Sequence, residues 1–242
     1  MAWQKRFFEK NKPVHVVSRA VVDIFKNKED CYRFIFQFYA SNLGKRGFNV
    51  LSKDAIKIGQ ALLWGEKIPS RFIIKEHPPL VDLIDFAQVI NHYHFYLLPK
   101  IDKAIPILIS KLNNGFAKSF NFIHNRKDAV FGSRYKGILI RTDFQSSAVT
   151  RYISIINSLD VFQWGWREKG LKNPEKAFEF LKKFEFSSFP DRIGERKSRI
   201  LAPDEVLERF PFGGGYDSKR EFQKFTKEFL KERSSQLQYF LE

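Results

Sequence analysis

The sequence predicts an α+β fold, a sheet with helices packed on one face, followed by a helical C-terminal extension. Two observations carry that prediction. Segments rich in β-branched and aromatic residues alternate with segments whose apolar residues recur at three and four, in the order strand, helix, strand, helix, strand, helix. The 242 residues are 43% hydrophobic and include 27 phenylalanines, while 29% are charged, which gives enough apolar surface for a core under a soluble exterior.

PVHVVSRAV (13–21) is β-branched and bounded by Pro13, as a strand requires. Asn27 to Glu29 then open a helix, KEDCYRFIFQFYASNL. Residues 44–80 are mixed: DAIKIGQALLWG has helical spacing, and KIPSRFIIKEHPPL, with three prolines, reads as a loop. LIDFAQVINHYHFYLLP reads as one long strand, because β-branched and aromatic residues dominate its second half. A helix follows over DKAIPILISKLNNGFAKSFNFIHNR, with Pro106 acceptable in its first turn. DAVFGSRYKGILIRTD is a loop running into the strand GILIRT, after which Asp143 can cap the helix FQSSAVTRYISIINSL. Beyond residue 160 the texture changes to charged amphipathic helices: one within 164–194, one in LAPDEVLERF and one from Ser218 to the end. FGGGYDSK, with Gly213 to Gly215, reads as a hinge. The organisation expected is a domain over 1–165 and a helical extension over 166–242.

Charge narrows the partner. Forty-two Lys and Arg against 27 Asp and Glu leave +15, which favours a polyanion, either nucleic acid or an anionic membrane surface. No apolar run reaches the ~18–20 residues that span a bilayer. The charged MAWQKRFFEKNKP lacks the apolar stretch of a secretory signal. Cys31, the single cysteine, excludes a disulfide framework and a multi-thiolate metal site, and is expected to be a small buried hydrophobe.

Chemistry concentrates in a few places. On a strand, His92 and His94 share one face with Tyr96, while Tyr93, Phe95 and Leu97 form a core face on the other. Two such imidazoles can converge on a divalent cation, although strand histidines are also often simply hydrogen-bonded. His15, His77 and His124 show no metal-ligand spacing with one another. HNRKDAVFGSRYKG (124–137) interleaves Arg126, Lys127, Arg134 and Lys136 with aromatic residues, which suits phosphate contacts and base stacking as well as a solvated loop. Tyr152 shares a helical stripe with Phe144, Ala148 and Ile156, a pattern usual for a core position. GxxxxGK[ST], GxGxxG and HExxH are all missing.

The order of these blocks is less generic than any one of them. NHYHFYLLPK, then ISKLNNGFAKSFNFIHNRKDAVFGSRYKGILIRTD, then RYISIINSLD resemble the successive blocks of the single-tyrosine HUH transposases, in the branch of the REP-associated tyrosine transposases. HVVSRAV with DIFKNKEDCYRFI resembles the family's opening, so the likeness spans about residues 13 to 190. The resemblance implies a ferredoxin- or RRM-like HUH domain with a central antiparallel sheet. It implies that His92 and His94 bind Mg²⁺ or Mn²⁺, that Tyr152 attacks a DNA phosphate to give a 5′-phosphotyrosine link, and that single-stranded or hairpin DNA is the partner. Arg19, Arg126, Lys127, Arg134, Lys136 and Arg151 would meet the phosphates. The location implied is cytoplasmic and nucleoid-associated in a prokaryote, without a membrane partner. The family includes homodimers with shared sites and monomers, so the subunit arrangement stays open.

One departure matters. The family places a polar metal ligand, often Asn, four residues after the tyrosine, and here that position is Ile156, with Asn157 at five and Ser158 in place of a proline. On a regular helix five residues rotate about 140° from Tyr152, against about 40° for four. Either a π-bulge between 152 and 157 restores the register, which is the expectation, or the metal site is degenerate. A degenerate site would suit a domesticated protein that binds hairpin or single-stranded DNA without cutting it. An RNA-binding module is the third reading, without evident RNP aromatics.

Overall fold

The computed structural model describes residues 8–43, 49–73, 78–210 and 219–235. The expected α+β class holds, with a four-stranded antiparallel sheet. Its strands are β1 (Val14–Arg19), β2 (Val81–Val89), β3 (His92–Pro99) and β4 (Lys136–Leu139), in the spatial order β2-β3-β1-β4.

The single long strand expected over 83–99 is instead a hairpin, β2 turning into β3 through Ile90 and Asn91. Ile90 takes a positive φ of 25°, which a β-branched residue resists. Long-range hydrogen bonds hold it there. The Ile90 carbonyl accepts from the amides of Ile24 and Phe25 at 3.0 and 3.1 Å, and the Asn91 carbonyl accepts from Ala20 at 2.8 Å. A bulge between Leu83 and Asp85 shifts the register of β2 and turns Asp85 to the face of Ala87 and Val89.

Helices α1 (Lys28–Asn42), α2 (Lys53–Trp64) and α3 (Ala104–Ile123) gather on one side of the sheet. Asn27 caps α1 by accepting from the Asp30 amide at 2.9 Å, and Pro106 sits in the first turn of α3, where its missing N–H has no intrahelical partner to lose. Tyr93, Phe95 and Leu97 form the core face as expected, packed with Val14, Val16, Phe34, Phe38 and Phe116.

Helices also cover the opposite face, contrary to the one-faced expectation. The helix through Tyr152 crosses it as α4 (Asp143–Arg151), a π-helical turn (Tyr152–Asn157) and α5 (Ser158–Phe162). Ile153 of the π turn packs there with Ile84, Ala87, Val89, Tyr96 and Leu98. The cap of α4 is Thr142, which accepts from the Gln145 amide, and not Asp143, which occupies the first turn.

Where one helix was expected in 164–194, three occur: α6 (Trp166–Lys169), α7 (Pro174–Lys183) and α8 (Phe189–Arg192). LAPDEVLERF yields only the single turn α9 (Asp204–Leu207), and α10 (Lys219–Ser235) is the long charged helix. Gly213 to Gly215 and His77 lie outside the described residues. The C-terminal segment shares an apolar cluster with Ile155 and Leu159, and residues 186–188 cover the outer edge of β2 through Gln88 N–H to the Phe186 carbonyl and Ser188 N–H to the Phe86 carbonyl, both 2.9 Å. Below that edge Arg192 pairs with the fully buried Asp85, at 2.7 and 2.8 Å, and Thr150 and Ser188 donate to the same carboxylate. No described helix is long and apolar enough to cross a membrane.

Candidate nucleic-acid cleft and tyrosine site

A cleft of about 1040 Å³ opens between the second sheet face, the π turn and α10. Strand alternation supplies its floor, with His15, Val17 and Arg19 from β1 and His92 and His94 from β3. The π turn supplies Tyr152 and Asn157, and α10 contributes Phe225 and Phe229 to its wall.

Tyr152 is 36% exposed and Phe144, on the same stripe, 77%, while Ala148 and Ile156 are half-buried. The stripe therefore faces the cleft, with Ala148, Tyr152 and Ile156 among its lining residues, and the usual core reading of such a pattern is overturned. The ring of Tyr152 meets His94 edge-on at 5.5 Å between centroids and His15 at 5.9 Å, and His92 and His94 lie 5.0 Å apart.

Burial sets the charge of these histidines. It lowers His15 and His92 to about 4, with Arg19 and Arg167 adding to the effect on His92 and Asp160 opposing it. His94 falls well below its ordinary range for the same reason, reinforced by its neighbouring histidines and by Arg19 and Arg167. All three are neutral imidazoles at pH 7. His92 Nδ1 faces the Asn91 side-chain oxygen at 2.9 Å, so it carries the proton and leaves Nε2 a lone pair. His94 Nε2 is buried with no hydrogen-bond partner among the described residues.

The π turn was expected from the conflict between Ile156 and Asn157, and it is present. Its wider turn brings a residue five positions on toward the place normally taken by the fourth. Asn157 is accordingly buried and lines the cleft beside Tyr152, with its Nδ2 unpartnered among the described residues and its Oδ1 accepting from Arg167 at 3.4 Å. Arg167 also stands 5.8 Å from the centre of the Tyr152 ring and grips Asp160 at 2.7 and 3.2 Å.

The donor set suits a weakly held divalent cation: two neutral imidazoles, one amide oxygen, and oxygens from substrate and water. Of Mg²⁺ and Mn²⁺, the latter accepts imidazole ligands more readily. Among the described residues no group of three or more His, Cys, Asp or Glu could hold a metal, so the cleft itself offers little more than this pair.

Among the described residues five cations line the cleft, Arg19, Arg134, Lys136, Arg151 and Arg167, against the single carboxylate of Asp160. Four of them were singled out from the sequence. Arg126 and Lys127, singled out with them, follow the end of α3 and are not among the lining residues. His124 pairs with Asp30 at 2.8 Å, and Cys31 is a buried free thiol whose ionisation burial opposes.

Among the lining residues that escaped the sequence reading are His15, Arg167 and Trp164. His15 reaches His94 only through the β1–β3 pairing, Arg167 arrives after a left-handed turn at Gly165 (φ 76°), and Trp164, 77% exposed, stands just before that turn. The alternation His15, Val17, Arg19 was the only sequence trace of the first.

No family model and no curated protein matches this sequence. Among solved structures it is similar to a REP-associated tyrosine transposase determined with a REP hairpin bound, at 12% identity and a TM-score of 0.45, over 90% of this chain and all of that one.

Proposed function

We propose that this protein is a metal-dependent DNA transesterase that cleaves and rejoins single-stranded or hairpin DNA through Tyr152. One observation carries the reading: an accessible phenol stands against neutral, buried histidines in a basic cleft. Phosphate contacts come from Arg19, Arg134, Lys136 and Arg151, and bases can stack on exposed rings such as Trp164.

In the reaction the Tyr152 Oη–phosphorus bond forms as the phosphorus–O3′ bond breaks. The phenolic proton passes to water at the cleft mouth and the departing 3′-oxygen takes one from water, so a 5′-phosphotyrosine and a free 3′-hydroxyl result. Rejoining is the reverse, with a 3′-hydroxyl attacking the phosphotyrosine, and no external energy source is needed. Burial holds His92 at about 4 and His94 well below its ordinary range, so both are poor bases and their part is ligation, with Asn157 as a third donor. Arg167, beside the phenol ring, places a cation where it can offset the charge of the phosphate under attack. A bound Mg²⁺ or Mn²⁺ would supply Lewis-acid charge at the scissile phosphate.

The test is incubation with labelled single-stranded hairpin DNA and Mg²⁺ or Mn²⁺, followed by denaturing electrophoresis. A protein–DNA adduct is expected, and Tyr152→Phe should lower its yield by roughly 10³-fold or more while leaving the melting temperature unchanged. An adduct that survives the substitution removes Tyr152 as the nucleophile.

A second reading, a hairpin- or single-strand-binding protein without catalysis, is favoured by the engagement of Asn157 Oδ1 with Arg167. DNA binding with no adduct under either metal would select it.

A further inference from the structure

His15 takes no part in the reaction above, yet it is 7% exposed and lies directly behind a candidate ligand. Its Nε2 is 3.1 Å from His94 Nδ1, with the two rings within 19° of parallel. The pairing of β1 with β3 puts His15 opposite Tyr96 and Val17 opposite His94, so His15 and His94 are diagonal neighbours on the cleft face.

Two neutral imidazoles meeting nitrogen to nitrogen share one proton, and its location determines what His94 presents to the cleft. If His15 Nε2 donates, His94 Nδ1 accepts and the second proton of the pair sits on His94 Nε2. That buried nitrogen has no acceptor among the described residues, so an N–H there would be left unpaired. If His94 Nδ1 donates, His94 Nε2 is a bare lone pair and the proton on His15 moves to its far nitrogen, Nδ1. Arg19 and Arg167, whose charges act on His94, favour a lone pair over an N–H on the cleft side. His92 repeats the arrangement, with Asn91 as the acceptor behind it.

We propose that His15 is a positioning residue: its Nε2 accepts the Nδ1 proton of His94 and so fixes the tautomer and ring orientation in which His94 Nε2 can take a divalent cation. The inference rests on the metal-dependent reading above. It assigns to β1 the acceptor that a metal-binding imidazole needs behind it.

Two measurements test it without an activity assay. In ¹⁵N-histidine-labelled protein at pH 7.5 and free of metal, long-range ¹H–¹⁵N correlation should show His94 protonated at Nδ1 and bare at Nε2. A His94 protonated at Nε2 overturns the proposal, and this measurement needs no variant. Mn²⁺ binding followed by electron paramagnetic resonance should weaken on the order of 10- to 100-fold in His15→Phe, and His15→Gln, which restores an acceptor at the Nε2 position, should recover part of the loss. Unchanged Mn²⁺ affinity in folded His15→Phe removes His15 from its role while the metal-dependent reading stands. Wild-type protein that binds no Mn²⁺ at millimolar concentration overturns the metal-dependent reading, and the inference with it.

Discussion

The two faces of one sheet differ more than their shared strands suggest. Tyr93, Phe95 and Leu97 close against α1 and α3 in an aromatic core. The alternate residues His92 and His94 are almost as buried but line the cleft, where His94 meets the ring of Tyr152 and its Nε2 has no hydrogen-bond partner among the described residues. The first face is closed by apolar packing and stabilises the fold. The second keeps capacity for a partner that the chain does not supply. Burial alone therefore does not mark a core, whereas burial with orphaned nitrogens beside cations marks a site.

Substitutions on the two faces should separate these roles. Phe95→Ala is expected to cost about 3–5 kcal/mol of stability, read from urea unfolding, because it leaves a cavity among Phe34, Phe38 and Tyr93. His92→Ala should cost about 1 kcal/mol or less, since its Asn91 partner sits at a partly exposed turn, yet it should abolish Mn²⁺ binding. Equal stability losses would erase the distinction between the faces.

Acid should act through the cleft face. His15 and His92 sit near pKa 4 in the folded chain and near 6.5 when unfolded, so between those values the unfolded state binds more protons. Their neutral burial costs nothing above about pH 6.5, and stability falls as pH drops toward 4, by on the order of 1 kcal/mol per histidine per pH unit. Urea midpoints at pH 7.5, 6 and 5 should decline accordingly, and less steeply in His15→Phe. A midpoint slope unchanged by that substitution would contradict the neutral burial of His15.

The smallest effect belongs to the rim. Trp164→Ala should leave stability within about 0.5 kcal/mol and weaken single-stranded DNA binding by about 1–3 kcal/mol in fluorescence anisotropy, with duplex binding less affected. Equal losses on duplex and single strand would argue against base stacking there.

What the sequence disclosed follows the range of the interactions involved. β1, α1 and α3 are specified by local patterning and caps, and the shared face of His92 and His94 follows from strand alternation. The π turn was legible as a register conflict, since Asn157 rather than Ile156 offers a polar side chain. The hairpin turn was not, because Ile90–Asn91 has no glycine and is held by residues 20–25. His15 and Arg167 were hidden for a related reason. Each meets the site through pairing or turning that only the assembled fold provides.

The Asp85–Arg192 pair also sets a schedule. Thr150, two residues before Tyr152, is tied to the Asp85 carboxylate, whose cationic partner lies 107 positions later in the chain. During synthesis the sheet and the tyrosine-bearing helix leave the ribosome well before residue 192. Until it follows, Asp85 has no counter-ion, and its burial is opposed by the full cost of desolvating a carboxylate. The mount beneath Tyr152 thus sets only after Arg192 has emerged, later than the strands and the helix that it joins.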